Sequence, residues 1–411
     1  MSRKEIRAYQ GKVLGEMLRF ATDQVPAYRP FRGAVDRFAP NDALKEFPLL
    51  VKDDLQERFD DFLPRDFETI PHYEISTGGT SGNQLKFYVD DCSQAVETAF
   101  MHRQWKRVGY TSRCRKASFR GVSFTNLDDG IYWQHNPIYN ELQFSPFHMS
   151  DKTLSDYVEQ IRAFRPEFLH GYPSSIGILA EYVLRNDLMG KLPRLRAILL
   201  GSEGALPGQK ERIERVFRTR VYSWYGHSER LILAGECEQT DTYHQFPDYG
   251  LLEIVDESGA PCDSEGERGE LVGTGFLNRS MPLIRYRTGD FATRIGPHCK
   301  CGRNWDRFTN VVGRWKQDMV IGRNGTSIST TALNLHSPVF EKVVRYQYFQ
   351  ERVGYCEVRL MVAPGFSEND RLAIEEAYQK KVGEELSFST RIVEDIPLTA
   401  RGKLEILDSS L

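Results

Sequence analysis

The stretch "EFLHGYPSSIGILAEYVLRN", residues 167–186, joins two different patterns without a linker. Its opening "EFLHGYP" is a short apolar run that ends at Gly and Pro, which is typical of a buried strand. The remainder, "SSIGILAEYVLRN", carries apolar residues at helical spacing. The stretch therefore predicts one strand followed directly by one helix.

The same alternation continues on both sides of this stretch. Upstream, "SDKTLSDYVEQIRAFRP" (150–166) has a Ser/Asp start and stops at a proline, as a helix does. Downstream, "LRAILLGSEG" (195–204) predicts a buried strand, "PGQKERIERVFRT" (207–219) a helix, and "RVYSWYGHSE" (220–229) a strand and loop. Because strands that alternate with helices form mostly parallel sheets covered by helices, the predicted fold class is α/β.

The pattern of predicted helices and strands changes twice along the chain. Residues 1–70 look helical, whereas residues 248–300 form short strands separated by Gly, Pro and Asp. Beyond residue 313, two strands, a helix and a further strand indicate an α+β arrangement. We therefore predict a large N-terminal domain of layered sheets and helices over residues 1–317, with a β-rich lobe at about 235–312. A small α+β C-terminal domain is predicted over 318–411.

Composition excludes several classes of protein. The chain has 411 residues, of which 40% are hydrophobic and 27% charged, and its net charge of −3 provides no global basic field for nucleic acid. No stretch approaches the roughly 18–20 apolar residues of a membrane span, and the N-terminus lacks a signal-peptide core. We therefore expect a cytoplasmic protein, either monomeric or homodimeric. Seven cysteines, an odd number, argue against a disulfide framework.

A cluster of small residues in "YEISTGGTSGNQLKFYVD", residues 73–90, is a candidate phosphate-binding loop. Glycines let backbone N–H groups converge on an anion, and hydroxyls add donors. The order fits neither GxxxxGK[ST] nor GxGxxG, and strands are predicted on both sides. A simple hairpin loop is the alternative. The candidates are Thr77, Gly78, Gly79, Thr80, Ser81 and Gly82.

Four later motifs carry side chains suited to a nucleotide. In "SWYGHSE" (223–229) an aromatic residue could stack on a base, and Glu229 could bind Mg²⁺. In "RYRTGD" (285–290) Asp290 could accept hydrogen bonds from ribose hydroxyls. "VGRWKQDMV" (312–320) and "PLTARGKLE" (397–405) add an arginine, an aspartate and Lys403. Each motif alone is equally typical of a turn or of a solvated lysine.

Taken in this order, the five motifs resemble those of the adenylate-forming superfamily of acyl-CoA synthetases, peptide adenylation domains and luciferases. The resemblance runs from about residue 70 to the end of the chain. It is closest to the phenylacetate–CoA ligase branch, including its relatives from capsule-polysaccharide biosynthesis, because of "HGYPSS", "NELQFSPFHMS" and "CKCGR".

The resemblance implies a role for each motif. The loop with Thr80 would cover the ATP phosphates, Glu229 would bind Mg²⁺, and Lys403 would be the catalytic lysine of a swinging C-terminal domain that rotates about a hinge at Asp318. A Pro-Lys pair usually follows the loop, but here the lysine is Lys86, which is kept only as a candidate phosphate contact. The remaining nucleotide contacts would be Ser202, Glu203 and Gly204 on the adenine side, Tyr225 and Gly226 at the base, Asp290 at the ribose, and Arg314 at the ribose or phosphate.

A Cys/His set indicates a structural Zn²⁺ site in the β-rich lobe. Two thiols on a glycine turn, with a distant Cys and His, can build a tetrahedral site, and the resemblance strengthens this prediction. His298 is an alternative to the predicted histidine, and buried free thiols are the alternative to a metal. The predicted ligands are Cys237, His244, Cys299 and Cys301.

The acid-binding pocket is predicted from position. His170, Gly171 and Tyr172 end a strand, and His135 lies in the polar and aromatic stretch "YWQHNPIYNE" (132–141), which favours a polar acid such as an amino, hydroxy or sugar acid. The resemblance implies that ATP activates this carboxylate as an acyl-adenylate, with pyrophosphate released and CoA as the acyl acceptor. An amine acceptor, which would give an amide, is the first alternative. A non-catalytic, zinc-stabilised nucleotide-binding protein is the alternative of another class.

Overall fold

The computed structural model describes residues 1–76, 85–122, 124, 127–206, 208–313, 318–335, 338–340, 342–396 and 405–411. The helices of this part of the chain are α1 Arg3–Gln24, α2 Arg32–Arg37, α3 Pro40–Lys45, α4 Lys52–Glu57, α5 Ser93–Lys106, α6 Asp151–Phe164, α7 Pro173–Arg185, α8 Gln209–Phe217, α9 Thr330–Leu333 and α10 Glu368–Val382. No helix among these residues is long and apolar enough to cross a membrane.

The strands that precede residue 250 are β1 His72–Ser76, β2 Lys86–Asp90, β3 Lys116–Phe119, β4 Trp133–Asn136, β5 Glu141–Phe144, β6 Phe168–Gly171, β7 Ala197–Leu200, β8 Val221–Gly226, β9 Leu233–Glu236 and β10 Tyr243–Gln245. Those that follow are β11 Gly250–Val255, β12 Arg268–Gly275, β13 Tyr286–Ile295, β14 Arg307–Val312, β15 Met319–Ile321, β16 Ser327–Ser329, β17 Val343–Arg352, β18 Tyr355–Val362, β19 Ser387–Ile392 and β20 Leu407–Ser409. The predicted α/β class is confirmed.

The chain divides into two compact units. The first unit contains Met1–Thr77, Leu85–Gln104 and Trp224–Arg314, and the second contains Trp105–Ser223 and Trp315–Leu411. The second unit thus joins the middle of the chain to its C-terminal segment. The predicted domain boundary between residues 317 and 318 stays a prediction.

The first unit is built on antiparallel strands in the order β11-β12-β13-β14-β10-β9, with the last three residues of β8 paired to β9. The hairpin of β1 and β2 pairs antiparallel, so the predicted strands do flank the glycine-rich loop. Helix α1 begins with a capping box in which Ser2 and Glu5 exchange hydrogen bonds. Its buried residues Leu14, Leu18 and Ala21, at helical spacing, pack into the core of this unit.

The segment before β1 is attached to β13 by backbone hydrogen bonds. The Leu50 N–H donates to Arg285 O at 2.9 Å, and the Arg287 N–H donates to Leu50 O at 2.9 Å. Tyr28 Oη donates to Pro282 O at 3.1 Å and accepts from the Ile284 N–H at 3.2 Å. The N-terminal helices therefore fix the start of β13.

The second unit contains a mostly parallel sheet in the order β4-β5-β3-β6-β7, followed by the first three residues of β8. Strands β5, β3, β6, β7 and β8 run parallel, and β4 is an antiparallel edge strand. Helices α6, α7 and α8 contribute apolar faces to the core of this sheet. In such a sheet, ligands commonly bind beyond the carboxyl ends of the strands.

The C-terminal segment of the second unit has its own four-stranded sheet, in the order β19-β18-β17-β20, and helix α10 packs on it. Its core also takes in two aromatic residues from the middle of the chain, Phe147 and Tyr172, which pack with Val320 and Ile328. Hydrophobic packing thus couples the end of β6 to the C-terminal segment in this structure.

Candidate active site

Glu229, the predicted Mg²⁺ ligand, is buried on the turn that follows β8. Its carboxylate accepts a hydrogen bond from Tyr286 Oη at 3.2 Å on one oxygen and from His227 Nδ1 at 3.0 Å on the other. Tyr286 lies on β13, so the carboxylate is held between its own turn and a distant strand of the sheet. A carboxylate fixed in one orientation suits the oxygen ligation that Mg²⁺ requires.

The second hydrogen bond of His227 defines its tautomer. The Ile232 N–H donates to His227 Nε2 at 3.2 Å. A backbone N–H can only donate, so Nε2 is the acceptor and Nδ1 carries the proton that is donated to Glu229. The imidazole therefore connects the backbone after β8 to the Glu229 carboxylate.

Tyr225 and Asp290, predicted at the base and the ribose, are brought together. Tyr225 Oη donates to Asp290 Oδ2 at 2.9 Å, and both residues are buried. Burial, followed by the charge of Asp290, raises the pKa of Tyr225 well above its ordinary value, so the hydroxyl keeps its proton. The charge of Glu229 has a smaller effect in the same direction, which places all three residues in one neighbourhood of the first unit.

Glu203, predicted on the adenine side, lies beyond β7 in the second unit. Ser202 before it adopts a left-handed backbone with φ of 68°, which is uncommon for a residue with a side chain. One Glu203 oxygen accepts from the Ser174 N–H at 3.1 Å, and the other accepts from Ser329 Oγ. Burial raises the pKa of Glu203. Its carboxylate thus bonds the first turn of α7 and the residue that caps α9.

The four predicted zinc ligands are assembled by strand pairing in the first unit. Strand β10, which carries His244, pairs with both β9 and β14. Cys237 follows β9 directly, and the loop before β14 carries Cys299 and Cys301. Because β10 lies between these two strands, the loop, the strand end and the imidazole meet at one place.

The spacing of the ligand atoms fits a tetrahedral ion. The atoms of all four residues lie within 4.8 Å of one another, with Cys237 Sγ 3.6 Å from Cys299 Sγ and His244 Nε2 3.4 Å from Cys301 Sγ. A tetrahedral Zn²⁺ with bonds near 2.3 Å to sulfur separates its ligands by about 3.8 Å. His298, the alternative ligand, is exposed.

Comparison with known proteins gives matches over most of the chain. A family profile, the CapK C-terminal domain, matches residues 320–409. The chain is 23% identical to the protein CapK of Staphylococcus aureus over 88% of this chain and 79% of that protein. It is 24% identical to a phenylacetate–coenzyme A ligase of Thermus thermophilus over 96% of this chain and 87% of the relative, and 27% identical to that of Escherichia coli over 86% and 81%.

The chain is similar over most of its length to the phenylacetate–CoA ligase-like family of adenylate-forming enzymes. The resemblance predicted from the motifs is therefore confirmed, and with it the class of adenylate-forming ligase. The crystal structure of a 2-hydroxyisobutyryl-CoA ligase has the same fold, with a TM-score of 0.61 at 19% identity, covering 100% of this chain and 90% of that one.

The acid-pocket residues predicted for this phenylacetate–CoA ligase-like chain do not all come together. His170 is buried at the end of β6, where its Nδ1 lies 2.9 Å from Leu199 O and its ring packs edge-on against Trp105. Gly171 has a packing role, because a Cβ there would lie 2.9 Å from Phe119 O. His135 is exposed on edge strand β4, which β5 and β3 separate from β6. The structure therefore groups His170 with its chain neighbours but not with His135.

Several predicted family residues lie outside the described part of the chain: Thr77, Gly78, Gly79, Thr80, Ser81, Gly82, Arg314 and Lys403. Lys86, the shifted loop lysine, is described and lies 3.5 Å from Glu74 across the β1–β2 hairpin. Asp318, the predicted hinge, directly precedes β15, and its carbonyl accepts from the Thr330 N–H at 2.9 Å.

Two further residues, one in each unit, were missed in the sequence. His227 was within a recognised motif, but its role depends on a turn that directs it to a residue only two positions away. Arg120, at the end of β3, stands in no recognised motif. The only signal for it was a charged residue placed directly after a buried strand.

Proposed function

We propose that this adenylate-forming ligase uses ATP to convert a carboxylic acid to an acyl-adenylate and then transfers the acyl group to coenzyme A. Relatives named phenylacetate–coenzyme A ligase match most of the chain. The 2-hydroxyisobutyryl-CoA ligase that shares the fold was captured with 2-HIB-AMP and CoA. Within this chain, the buried Tyr225–Asp290 bond beside Glu229 carries the proposal, because it unites two nucleotide motifs 65 positions apart.

The chemistry requires two balanced half-reactions. In the first, a carboxylate oxygen bonds to the α-phosphorus of ATP and the bond to pyrophosphate breaks. In the second, the CoA sulfur bonds to the acyl carbon, the thiol proton passes to solvent, and AMP leaves. Charge develops on the phosphoryl oxygens of the first step, and positioned cationic groups stabilise it.

Each residue has a specific task in this proposal. The Tyr225 ring packs against adenine, and its hydroxyl orients the Asp290 carboxylate toward the ribose. Glu229, held by Tyr286 and His227, is the ligand for Mg²⁺, which neutralises triphosphate charge when bound. Lys403 approaches the α-phosphate in the adenylation step.

A structural Zn²⁺ is the second part of the proposal. The atoms of Cys237, His244, Cys299 and Cys301 have the separations that a tetrahedral ion needs, and a closed four-ligand set is typical of structural rather than catalytic zinc. Arg303 Nε donates to Cys301 Sγ at 3.2 Å, a contact that favours the thiolate form that binds metal. The ion would tie β9, β10 and the loop before β14 together.

Pyrophosphate exchange tests the ligase proposal directly. Purified protein with ATP, Mg²⁺ and labelled pyrophosphate should incorporate label into ATP in the presence of one subset of a panel of amino, hydroxy, sugar, aryl and fatty acids. Addition of CoA should then yield a thioester by mass spectrometry, whereas an amide formed only with an amine would replace CoA as the acceptor. ATP binding with no exchange for any acid would instead favour a non-catalytic nucleotide-binding protein.

His227 offers a matched pair of substitutions for the Mg²⁺ ligand. In His227→Asn the side-chain amide replaces Nδ1–H and keeps the bond to Glu229, whereas in His227→Gln the side chain reaches the Nε2 position and keeps the acceptor for Ile232. We expect His227→Gln to raise the Mg²⁺ concentration for half-maximal exchange about tenfold, the effect of a lost charge-assisted hydrogen bond. His227→Asn should change it little but lower the melting temperature.

The Mg²⁺ requirement and the melting temperature are expected to respond to different variants, which makes this prediction testable. Melting temperature is measured without nucleotide or metal, so it reports what the His227 hydrogen bonds contribute to folding and not Mg²⁺ binding. Equal Mg²⁺ requirements in the two variants would show that the imidazole does not position Glu229.

A further inference from the structure

Arg120, the residue after β3, carries a charge that forms no ion pair within the described part of the protein. Its Nη1 atom is buried and has no hydrogen-bond partner there, and the residue forms no ion pair with a described side chain. Strand β3 lies between β5 and β6 in the parallel sheet of the second unit. Arg120 is therefore at the carboxyl end of a central strand, where α/β sheets bind ligands.

The lack of an ion pair at Arg120 contrasts with other partly or fully buried cations in this chain. Lys116, at the opposite end of the same strand, lies 3.2 Å from Glu141. Arg285, on the first unit, lies 3.0 Å from Glu253. A shielded charge without a partner costs free energy, and such groups concentrate at functional sites.

The surroundings of Arg120 combine an aromatic ring with polar groups. Its guanidinium lies 4.6 Å from the centre of the Tyr172 ring, and Tyr172 Oη accepts from the Gly121 N–H at 3.4 Å. The ring is thus fixed against the guanidinium. Burial, followed by the charges of Arg120 and Lys116, lowers the pKa of His170 well below its ordinary value, so His170 adds no second positive charge.

The charge of Arg120 acts on the carboxylate of Glu203, but that carboxylate forms no ion pair with the guanidinium. Its two oxygens accept from the Ser174 N–H and from Ser329 Oγ instead. Burial raises the pKa of Glu203, and the charge of Arg120 only partly opposes this. A negative group brought by a ligand would satisfy the guanidinium.

We propose that Arg120 binds a second carboxylate on the acid that this enzyme activates, so that the substrate class is a dicarboxylic acid. This inference rests on the proposed ligase function. The reacting carboxylate loses its charge when it becomes an acyl-adenylate, whereas a second carboxylate stays charged through both half-reactions. The planar guanidinium matches a carboxylate in a bidentate arrangement, and Tyr172 holds it in place.

The test compares diacids with their monoamides, which have the same shape but lack the second charge. Succinate and succinamate, and glutarate and glutaramate, are the probes, and initial rates of pyrophosphate exchange give kcat/KM for each. We expect the natural protein to prefer the diacids by about 10- to 100-fold, as for hydrogen bonds to charged groups. Arg120→Gln should remove this preference and raise KM for the diacid without raising KM for ATP.

Arg196→Gln is the matched control. Arg196 also lies over an aromatic ring, 5.3 Å from the centre of Phe168, but it stands at the amino end of β7, two strands from β3, and is paired with Glu167. This control should keep the diacid preference. Arg120→Gln should also keep or raise the melting temperature, because the substitution removes an unpaired charge.

Four other results would contradict the inference, and each has a distinct meaning. Equal use of diacids and monoamides by the natural protein would exclude a second carboxylate, and an equal loss for both in Arg120→Gln would assign Arg120 to the reacting carboxylate. A higher KM for ATP alone would assign it to the nucleotide.

If no acid in a broad panel supports exchange, the ligase proposal fails. The thermal shift caused by succinate, compared between the natural protein and Arg120→Gln, then decides the role of Arg120 without catalysis: no difference overturns it.

Discussion

Lys403→Ala should slow acyl-adenylate formation by about 10²- to 10³-fold, the effect of removing one group that stabilises developing charge. Lys403 is assigned to the adenylation step, so transfer from a supplied acyl-adenylate to CoA should keep most of its rate. Single-turnover measurements of the two half-reactions, with ATP plus acid in one and synthetic acyl-adenylate plus CoA in the other, separate these effects. The size of the effect follows from the pentavalent transition state, whose extra negative charge is not present in ATP.

Lys380→Ala is the control for this experiment. Lys380 is an exposed lysine on α10, so its removal changes the charge of the C-terminal segment without touching the predicted site. It should leave both half-reactions unchanged. A Lys403→Ala enzyme in which both half-reactions slow to the same extent would contradict the assigned role.

Cys299→Ser should abolish stoichiometric zinc binding and lower the melting temperature by more than it changes ATP affinity. A serine hydroxyl is a poor Zn²⁺ ligand at neutral pH, and three remaining ligands would leave the site open. Because structural zinc contributes folding free energy, each kcal/mol lost should lower the melting temperature by about 2–4 °C for a unit of 150–250 residues. Metal content by mass spectrometry, thermal unfolding and ATP titration provide the three readouts.

The control for the cysteine experiment is Cys92→Ser. Cys92 is exposed and stands outside the four-residue cluster, so its substitution removes a thiol without affecting the site. It should retain zinc and the natural melting temperature. Purified natural protein that contains no zinc, even after refolding with the metal, would refute the zinc site.

Local patterns were sufficient to predict the alternating helices and strands between residues 150 and 229, because each has its own period and its own boundary residues. Strands β3, β4 and β5 of the same sheet were not predicted. The run from Phe168 to Arg185 became β6 and α7 as expected. Contacts between segments that are distant in the sequence could not be predicted in this way. That the C-terminal segment shares a core with Phe147 and Tyr172 depends on packing across more than 140 positions, for which no local period exists.

The same distinction explains the candidate site. Cys299 and Cys301 could be recognised by their spacing, since two thiols on a glycine turn have few structural reasons to occur together. Arg120 could not be recognised, because its significance lies in the absence of an ion-pair partner among the described residues. A sequence shows which charges exist, but which charges face each other is decided only when the strands pair.

The attachment of the N-terminal helices to β13 has a consequence for the design of shortened forms of this enzyme. Leu50 and Tyr28 hold the start of the strand that carries Tyr286 and Asp290. A fragment that began near residue 70, where the family motifs start, would retain every recognisable signature yet release this strand from its anchor. The nucleotide affinity of such a fragment would not represent that of the whole protein. It would contain the binding residues, but the strand that carries them would no longer be held in register.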